Sequence, residues 1–264
     1  MLHVIASELT RLVQLRLLLV WFGLMAAFVL MVNAVMATVV TSAGPTDLPS
    51  PGVTFPTLAE LESPSGLVAG LSAASSMFGI VTLSAWAFFT AQDHSSGLIR
   101  LLVAAEPRRW RLLAGKAVAL SLATAVAVSV ATLANLMAAP IVGASGISTE
   151  AWGTDIGSVL AGGWLNLFLS QLVWGVLGLV IATLARSAMV AVSIGVGYVL
   201  VVESLIQMID GAPTDQLLGA ILTALAKGGT DAVSYPAALA LGAAYVVIGL
   251  LAAGLVFSRR DVTD

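Results

Sequence analysis

Glu203 is the side chain best placed to do chemistry within an apolar segment of this sequence. It lies in a stretch predicted to cross a membrane, five residues after Tyr198 and one helical turn before Gln207 on the same face. A carboxylate in the middle of a membrane helix costs about 2.5–3.5 kcal/mol, and proximity to the external end of the helix lowers this cost. Two interpretations stay open: Glu203 acts in a substrate path, in ion coupling or in a gate, or it pairs structurally with another helix.

Other reactive groups are scarce. The sequence has no cysteine and only two histidines, His3 and His94, and it contains neither an HExxH nor a GxSxG motif. Gly115-Lys116 resembles the end of a P-loop, but Trp110 occupies the position of the required first glycine. We therefore expect a chain that is not an enzyme and that holds no metal and no cofactor.

The composition predicts an all-α polytopic membrane protein. Of its 264 residues 59% are hydrophobic and 9% are charged, whereas about a quarter are charged in soluble domains. A transmembrane helix needs about 20 mostly apolar residues, and six stretches are long enough. We predict a single transmembrane domain over residues 1–264, whose first span is a retained anchor rather than a signal peptide. The predicted spans are 17–41, 66–91, 117–143, 157–185, 188–209 and 236–257.

The basic residues predict the orientation of these spans. If the N-terminus is cytoplasmic, ten of the eleven Lys and Arg residues lie inside and only Lys227 lies outside. By the positive-inside rule both termini are then cytoplasmic, and we expect the chain in the inner membrane of a bacterium. The net charge of −3 gives no reason to expect a nucleic-acid partner.

Polar residues within the spans are expected to hydrogen-bond between helices rather than to bind substrate. They are Asn33, Asn135, Asn166 and Gln171.

Two segments on the inner side are predicted to be helical without crossing the membrane. Residues 2–15 have an apolar stripe, which indicates an interfacial amphipathic helix or, alternatively, an extension of the first span. In the stretch 92–116, Asp93 or Ser95 is predicted to cap a short helix through Ala105. Pro107 is predicted to lie in the first turn of a second helix, which runs through Trp110 into the third span. Its apolar residues are too numerous for a solvated loop, so they rest on the membrane or are buried against another protein. Nearby arginines are also suited to anionic lipid headgroups.

Two segments on the outer side carry further signals. Residues 42–65 contain five prolines and are predicted to be extended. Asp215 is predicted to cap a helix that carries Leu218 and Leu222 and ends at Gly228-Gly229. This helix is too short to cross a membrane, so we expect it to be re-entrant or interfacial, near the outer mouth of whatever lies between the helices. The alternative is a surface helix with no role in transport.

The stretch 92–116 resembles the cytoplasmic loop of ABC-2 type exporter permeases, the membrane subunits of ABC transporters. That loop typically has an acid, a glycine four residues later, an apolar stretch, a proline, an arginine, and a lysine that opens the third span. Asp93 stands where glutamate is usual, Leu98 where threonine is common, and Arg108 where serine is common. The six-span plan with an N-terminal amphipathic elbow and a short helix before the last span is similar as well. The matching positions are Asp93, Gly97, Leu98 to Val103, Pro107, Arg109 and Lys116.

The resemblance implies an ATP-driven exporter. Two permeases, identical or related, would bind two cytoplasmic ABC ATPase subunits that carry ATP and Mg. The short helix after span two would be the coupling helix docked on the ATPase. The implied coupling residues are Asp93, Gly97, Leu98, Arg100, Leu101, Pro107 and Arg109. Substrate would follow the dimer interface, and Glu203, Gln207, Leu218 and Leu222 would lie near the outer gate.

The apolar spans suit a hydrophobic or amphipathic substrate, such as a drug, a lipid or a peptide. Two other classes of function stay open. A secondary transporter would couple transport to ions or protons through Glu203. A non-transport membrane subunit would bind a partner tightly without any flux.

Overall fold

The computed structural model describes residues 2–12, 15–42, 55–105, 108–209 and 214–259, and these residues form helices and no β-strand. The α-helices are α1 (Leu2–Leu12), α2 (Leu15–Ser42), α3 (Leu58–Glu62), α4 (Ala69–Ala73), α5 (Ser75–Ser95), α6 (Leu98–Ala105), α7 (Arg109–Ala144), α8 (Ile156–Ala185), α9 (Ala188–Gly197), α10 (Ser204–Gln207), α11 (Leu218–Lys227) and α12 (Tyr235–Arg259). Short 3₁₀ segments cover Pro64–Val68, Glu150–Gly153 and Thr214–Gln216, and a π-helical segment, Tyr198–Glu203, joins α9 to α10.

Within the described ranges, five helical segments are long and apolar enough to cross a membrane. They are α2, α7, α8, α12 and the segment Ala188–Ile206. A sixth forms if Pro64–Ala73 and Ser75–Asp93, which meet at an angle of 45°, are one broken span. The prediction of an all-helical, multi-pass membrane protein is confirmed at this level.

The break in the second span is stabilised by side chains from other helices. Backbone groups freed by a break in an apolar environment need partners within the protein. The Asn135 amide donates to the Leu67 carbonyl at 2.7 Å, and the Gln171 amide donates to the Ser75 carbonyl at 3.1 Å. Asn33 also donates to Asn135 at 3.0 Å, so the predicted hydrogen bonds between helices are confirmed for these residues.

Helix α8 lies at the centre of the bundle. It packs against α5, α7, α9, α11 and α12. In its most apolar 18-residue stretch 61% is buried, whereas the corresponding figure for α12 is 11%. Gly175 in α8 stands against the ring of Trp86, and Gly178 stands against the backbone of Leu83. Since lipid is as apolar as leucine, close packing of this kind and hydrogen bonds between helices hold membrane helices together.

One end of the bundle collects basic residues, and we call it the basic end. It contains α1, the last turns of α5 and α8, and the first turns of α7. Arg109 in α7 donates to the carbonyl of Phe257 at 3.1 Å, so the end of α12 lies there too. The opposite end contains Glu203 and α11.

Several predicted boundaries at the basic end differ from the structure. Helix α7 runs from Arg109 through Trp110 into the third span, as predicted, so it is longer than the apolar stretch 117–143 alone. Lys116 lies within it and is buried. Asp93 does not cap α6, because α5 continues through it to Ser95. Gly97, at a φ of +69°, makes the turn that starts α6. Pro107 lies outside the described residues.

The opposite end corrects two further predictions. The described part of segment 42–65 is not extended, because Thr57 and Glu60 form a capping box that starts α3. The prolines before Phe55 lie outside the described residues. Asp215 does not cap α11, since it lies in the 3₁₀ turn before it and Leu217 is the residue at the cap. The predicted end of α11 is confirmed, with Gly228 at a φ of +81°.

Candidate functional site

Four charged side chains from three helices form a buried cluster at the basic end. Lys116 Nζ lies 2.9 Å from Glu8 Oε2 and 2.7 Å from Asp93 Oδ2. Arg11 pairs with Glu8 Oε1 at 2.6 Å and also with Asp93. We call these four residues the ionic cluster, and its two cations and two anions balance in charge. Glu8 and Asp93 are only 3% and 4% exposed, so each depends on its partners to offset the cost of burial.

The ionic cluster fastens α1 to the bundle. Glu8 and Arg11 belong to α1, Asp93 to α5 and Lys116 to α7. Helices α1 and α7 approach closely because Gly115 of α7 has no side chain. A Cβ atom there would lie 2.6 Å from Val4 Cγ1 of α1. Helix α1 is therefore packed against the other helices along the face that carries Val4 and Glu8.

Helix α6 stands beside the cluster. A cavity of about 310 Å³ separates them and is lined by Leu98 together with Gln92, Ser96 and the ionic cluster. Leu102 also faces inward, where it lines a small void with Glu8 and Asp93. Leu101 points away from the bundle and is 69% exposed. The short helix therefore has one packed side and one free apolar side.

The other predicted coupling residues are placed in different ways. Asp93 is in the ionic cluster, Gly97 makes the turn before α6, and Arg109 binds the carbonyl of Phe257 near the end of α12. The side chain of Arg100 and the whole of Pro107 lie outside the described residues.

Glu203 lies at the opposite end and is 5% exposed. Its Oε1 accepts a hydrogen bond from the backbone N–H of Gly219 at 2.7 Å, in the first turn of α11. Tyr198, one turn earlier, accepts from the N–H of Leu218 at 3.4 Å. The π-helical turn between Tyr198 and Glu203 directs both side chains to the start of α11, where N–H groups need acceptors. We call this arrangement the α11 latch.

Helix α11 is also attached along its length. The Ser170 hydroxyl of α8 donates to the carbonyl of Leu222 at 2.9 Å. Leu222 is buried in a cluster with Val173 and Trp174, and Leu218 packs at the edge of this cluster. Of the predicted gate residues, Glu203, Leu218 and Leu222 thus come together around α11, and the side chain of Gln207 lies outside the described residues.

The charged groups of these two sites bind to other residues of the bundle. Within the described ranges, no three His, Cys, Asp or Glu side chains form a group able to hold a metal ion. The ionic cluster can hold α1, α5 and α7 together beside the exposed side of α6, and the α11 latch can hold a short helix in place.

Sequence reasoning missed Glu8 and the partnership of Lys116 with Asp93. A signal was present in α1, because Glu8 is its single acid and lies four residues from Val4 and from Leu12 on the packed face. Its partner Lys116 is 108 residues away along the chain, and periodicity within one helix cannot reveal a contact at that separation.

Comparisons with known proteins identify a family. No curated protein and no solved structure matches the chain. One family model, described as protein of unknown function (DUF2705), matches residues 24–263. The resemblance to ABC-2 type permeases, which depended on a motif of about 25 residues, is therefore wrong as a family assignment, since the match over nearly the whole chain is to DUF2705. The chain belongs to the DUF2705 family of proteins of unknown function.

Proposed function

We propose that this protein is a membrane permease subunit that exports a hydrophobic or amphipathic substrate and is driven by a separate cytoplasmic ATPase. The observation that carries the proposal is α6, a short and mostly apolar helix at the basic end whose Leu101 is 69% exposed. An exposed apolar helix surface of this kind is typical of a docking site for another protein.

The distribution of basic residues supports a cytoplasmic position for α6. Lys and Arg collect on the cytoplasmic side of membrane proteins, and the basic end carries the ionic cluster together with Arg109. A soluble ATPase could therefore reach α6 directly. No Walker motif occurs in this sequence, which supports ATP hydrolysis on a different chain.

The ionic cluster supports a mechanical role for α6. Asp93 lies at the end of α5, five residues before α6, and its pairs with Arg11 and Lys116 tie that end to α1 and α7. A displacement of α6 would thus move α1, α5 and α7 together. Helix α5 continues to the break in the second span, so the movement would reach the opposite end of the bundle.

We further propose that α11 is the outer gate and that the α11 latch holds it closed. Glu203 and Tyr198 both come from the fifth span, so a shift of this span would release the first turn of α11. A second permease copy or a related subunit belongs to the proposal, and the low burial of α2 and of the fifth span, at 28% and 22%, leaves apolar faces for it.

The test uses Leu101→Asp, with Leu9→Asp as the control. Both leucines are exposed at the basic end, but Leu9 is on α1. We expect a Walker-motif ATPase to co-purify with the wild-type chain from native membranes. Leu101→Asp should lower the amount of co-purified ATPase at least 10-fold, and Leu9→Asp should leave it unchanged. ATP hydrolysis stimulated by substrate should fall in parallel.

Two results would contradict the proposal. Transport by the chain alone in proteoliposomes, driven by a proton gradient, would favour a secondary transporter that uses Glu203. Tight binding of a partner that is not an ATPase, with no substrate flux, would favour a non-transport membrane subunit.

A further inference from the structure

We propose that a cavity at the opposite end binds a small zwitterion, a molecule with an ammonium group and an anionic oxygen group, either free or as a lipid headgroup. The cavity measures about 330 Å³ and lies between the broken second span, α8 and the last turn of α11. Ligand pockets range from about 300 to 1,000 Å³, so this volume suits a headgroup or a molecule of similar size.

Two opposite charges line the cavity. Lys227 is in the last turn of α11, and it is the one basic residue that the sequence places outside the basic end. Glu60 is in α3, where its Oε2 accepts from the backbone of Thr57 at 2.7 Å. Among the described residues neither charge has an ion-pair partner, and Oε1 of Glu60 has no hydrogen bond there. A ligand that carries both charges would satisfy both side chains.

Three of the four neutral polar side chains of the cavity wall divide in the same way. Ser72 and Ser158 each use their hydroxyl hydrogen on a backbone carbonyl, at 3.0 and 2.8 Å, which leaves the oxygen as an acceptor for an ammonium group. Asn166 does the reverse. Its Oδ1 accepts from Tyr235 at 2.6 Å, which leaves the amide N–H groups as donors for an anion. Acceptors and donors for both ends of a zwitterion are therefore present.

A glycine creates part of the space. Gly162 lines the cavity, and a Cβ atom placed there would have no atom within 4 Å. Its neighbour Gly163 also lines the cavity, but a Cβ atom there would lie 2.9 Å from Val68 of the second span. The floor includes Val68, Leu71 and Val159, which suit the apolar part of a headgroup-bearing molecule.

The proposal is independent of the proposed function, because binding can be measured with purified chain in detergent, without an ATPase and without a gradient. The two can therefore fail separately. The probes are O-phosphoethanolamine as the free zwitterion and dihexanoylphosphatidylethanolamine as the lipid form. Ethanolamine and glycerol 3-phosphate represent the two charges alone.

Isothermal titration should show saturable binding of one zwitterion or both, at least 10-fold tighter than of ethanolamine or glycerol 3-phosphate. Gly162→Leu should weaken this binding at least 10-fold by filling the cavity. Gly157→Leu is the matched control, since Gly157 is in the same helix, has open space around its Cβ position and is not part of the cavity wall. It should bind like the wild type.

Lys227→Gln provides a second variant in case Gly162→Leu does not fold. It should lower the affinity for the zwitterion about 10-fold and leave the affinity for ethanolamine unchanged. Binding of both zwitterions would indicate a soluble ligand, and binding of the lipid form alone would indicate a headgroup site. The proposal is overturned if the zwitterions bind no tighter than ethanolamine and glycerol 3-phosphate. It is also overturned if the affinity for the zwitterions is unchanged in both Gly162→Leu and Lys227→Gln.

Discussion

Replacement of Lys116 by glutamine tests the ionic cluster. The change keeps most of the side-chain length and removes one positive charge. Glu8 and Asp93 then share Arg11 as their only cation within the described cluster, and its net charge becomes −1. Because both carboxylates are almost completely buried, water cannot replace the lost ammonium without a change in the packing of α1.

The magnitude follows from the two ion pairs that are lost. At an effective dielectric constant of about 20, unit charges at the separations found here attract each other by about 6 kcal/mol per pair. Much of that attraction offsets the cost of removing the ammonium group from water. Experience with broken buried pairs gives a net loss of about 3–5 kcal/mol in the free energy of unfolding.

The measurement is equilibrium unfolding in detergent micelles, followed by tryptophan fluorescence. Lys227→Gln is the matched control, since the chain has two lysines in all. Lys227 is exposed, so this variant should change the free energy of unfolding by less than about 0.5 kcal/mol. The double variant Glu8→Gln/Lys116→Gln restores a net charge of zero. Its loss in the free energy of unfolding should be at least about 1.5 kcal/mol smaller than the summed losses of the two single variants.

Two results would refute this reasoning. One is a Lys116→Gln variant as stable as Lys227→Gln. The other is a double variant whose loss equals the sum of the single losses, because the charges would then not interact.

Three other variants test the packing described above. Gly219→Ala places a methyl group where the Glu203 carboxylate lies. The amide hydrogens in the first turn of α11 should then exchange with deuterium at least 10-fold faster, as measured by mass spectrometry. An unchanged exchange rate would contradict the α11 latch. Asn135→Leu leaves the carbonyl of Leu67 without its donor, so the free energy of unfolding should fall by about 1–3 kcal/mol. A loss below about 0.5 kcal/mol would mean that the break in the second span does not need this hydrogen bond. Gly115→Ala pushes α1 away from α7, which should accelerate limited proteolysis within α1 as read on a gel; equal cleavage rates would contradict the close approach of these helices.

Hydropathy and charge predicted the helices of this fold well, because each signal is local. About 20 apolar residues are needed to cross a membrane wherever they occur in a chain, so α2, α8 and α12 lie close to their predicted bounds. The end of α11 was equally predictable, since a glycine with positive φ ends a helix for reasons within one turn.

The remaining features depend on residues that are distant in sequence. The apolar pattern of 66–91 is continuous, and the break within it is held by Asn135 and Gln171 from two other helices. Lys116 was predicted to open the third span, but no local signal indicated that it is buried. It is buried because Glu8 and Asp93, from two other helices, pair with it.

In the candidate sites, too, the local features could be predicted and the partners from distant parts of the sequence could not. The sequence singled out Glu203 but could not give its partner, since the N–H of Gly219 reaches Glu203 only when α11 begins beside the fifth span. The zwitterion cavity had two signs in the sequence, the isolated Lys227 and the pair Gly162-Gly163. Which of the two glycines faces open space depends on where Val68 lies.

The central position of α8 has a consequence for the order in which the chain assembles during synthesis. Gln171 can bond at once to Thr82 and Ser75, because α5 is already made when α8 emerges from the ribosome. Ser170 must wait for α11, and Asn166 must wait for Tyr235 at the start of α12. At about 5–20 residues per second, translation of the roughly 50 residues between α8 and α12 takes about 3–10 s. During that interval α8 can bond to α5 but not yet to α11 or α12, so the hydrogen bonds of Ser170 and Asn166 form last.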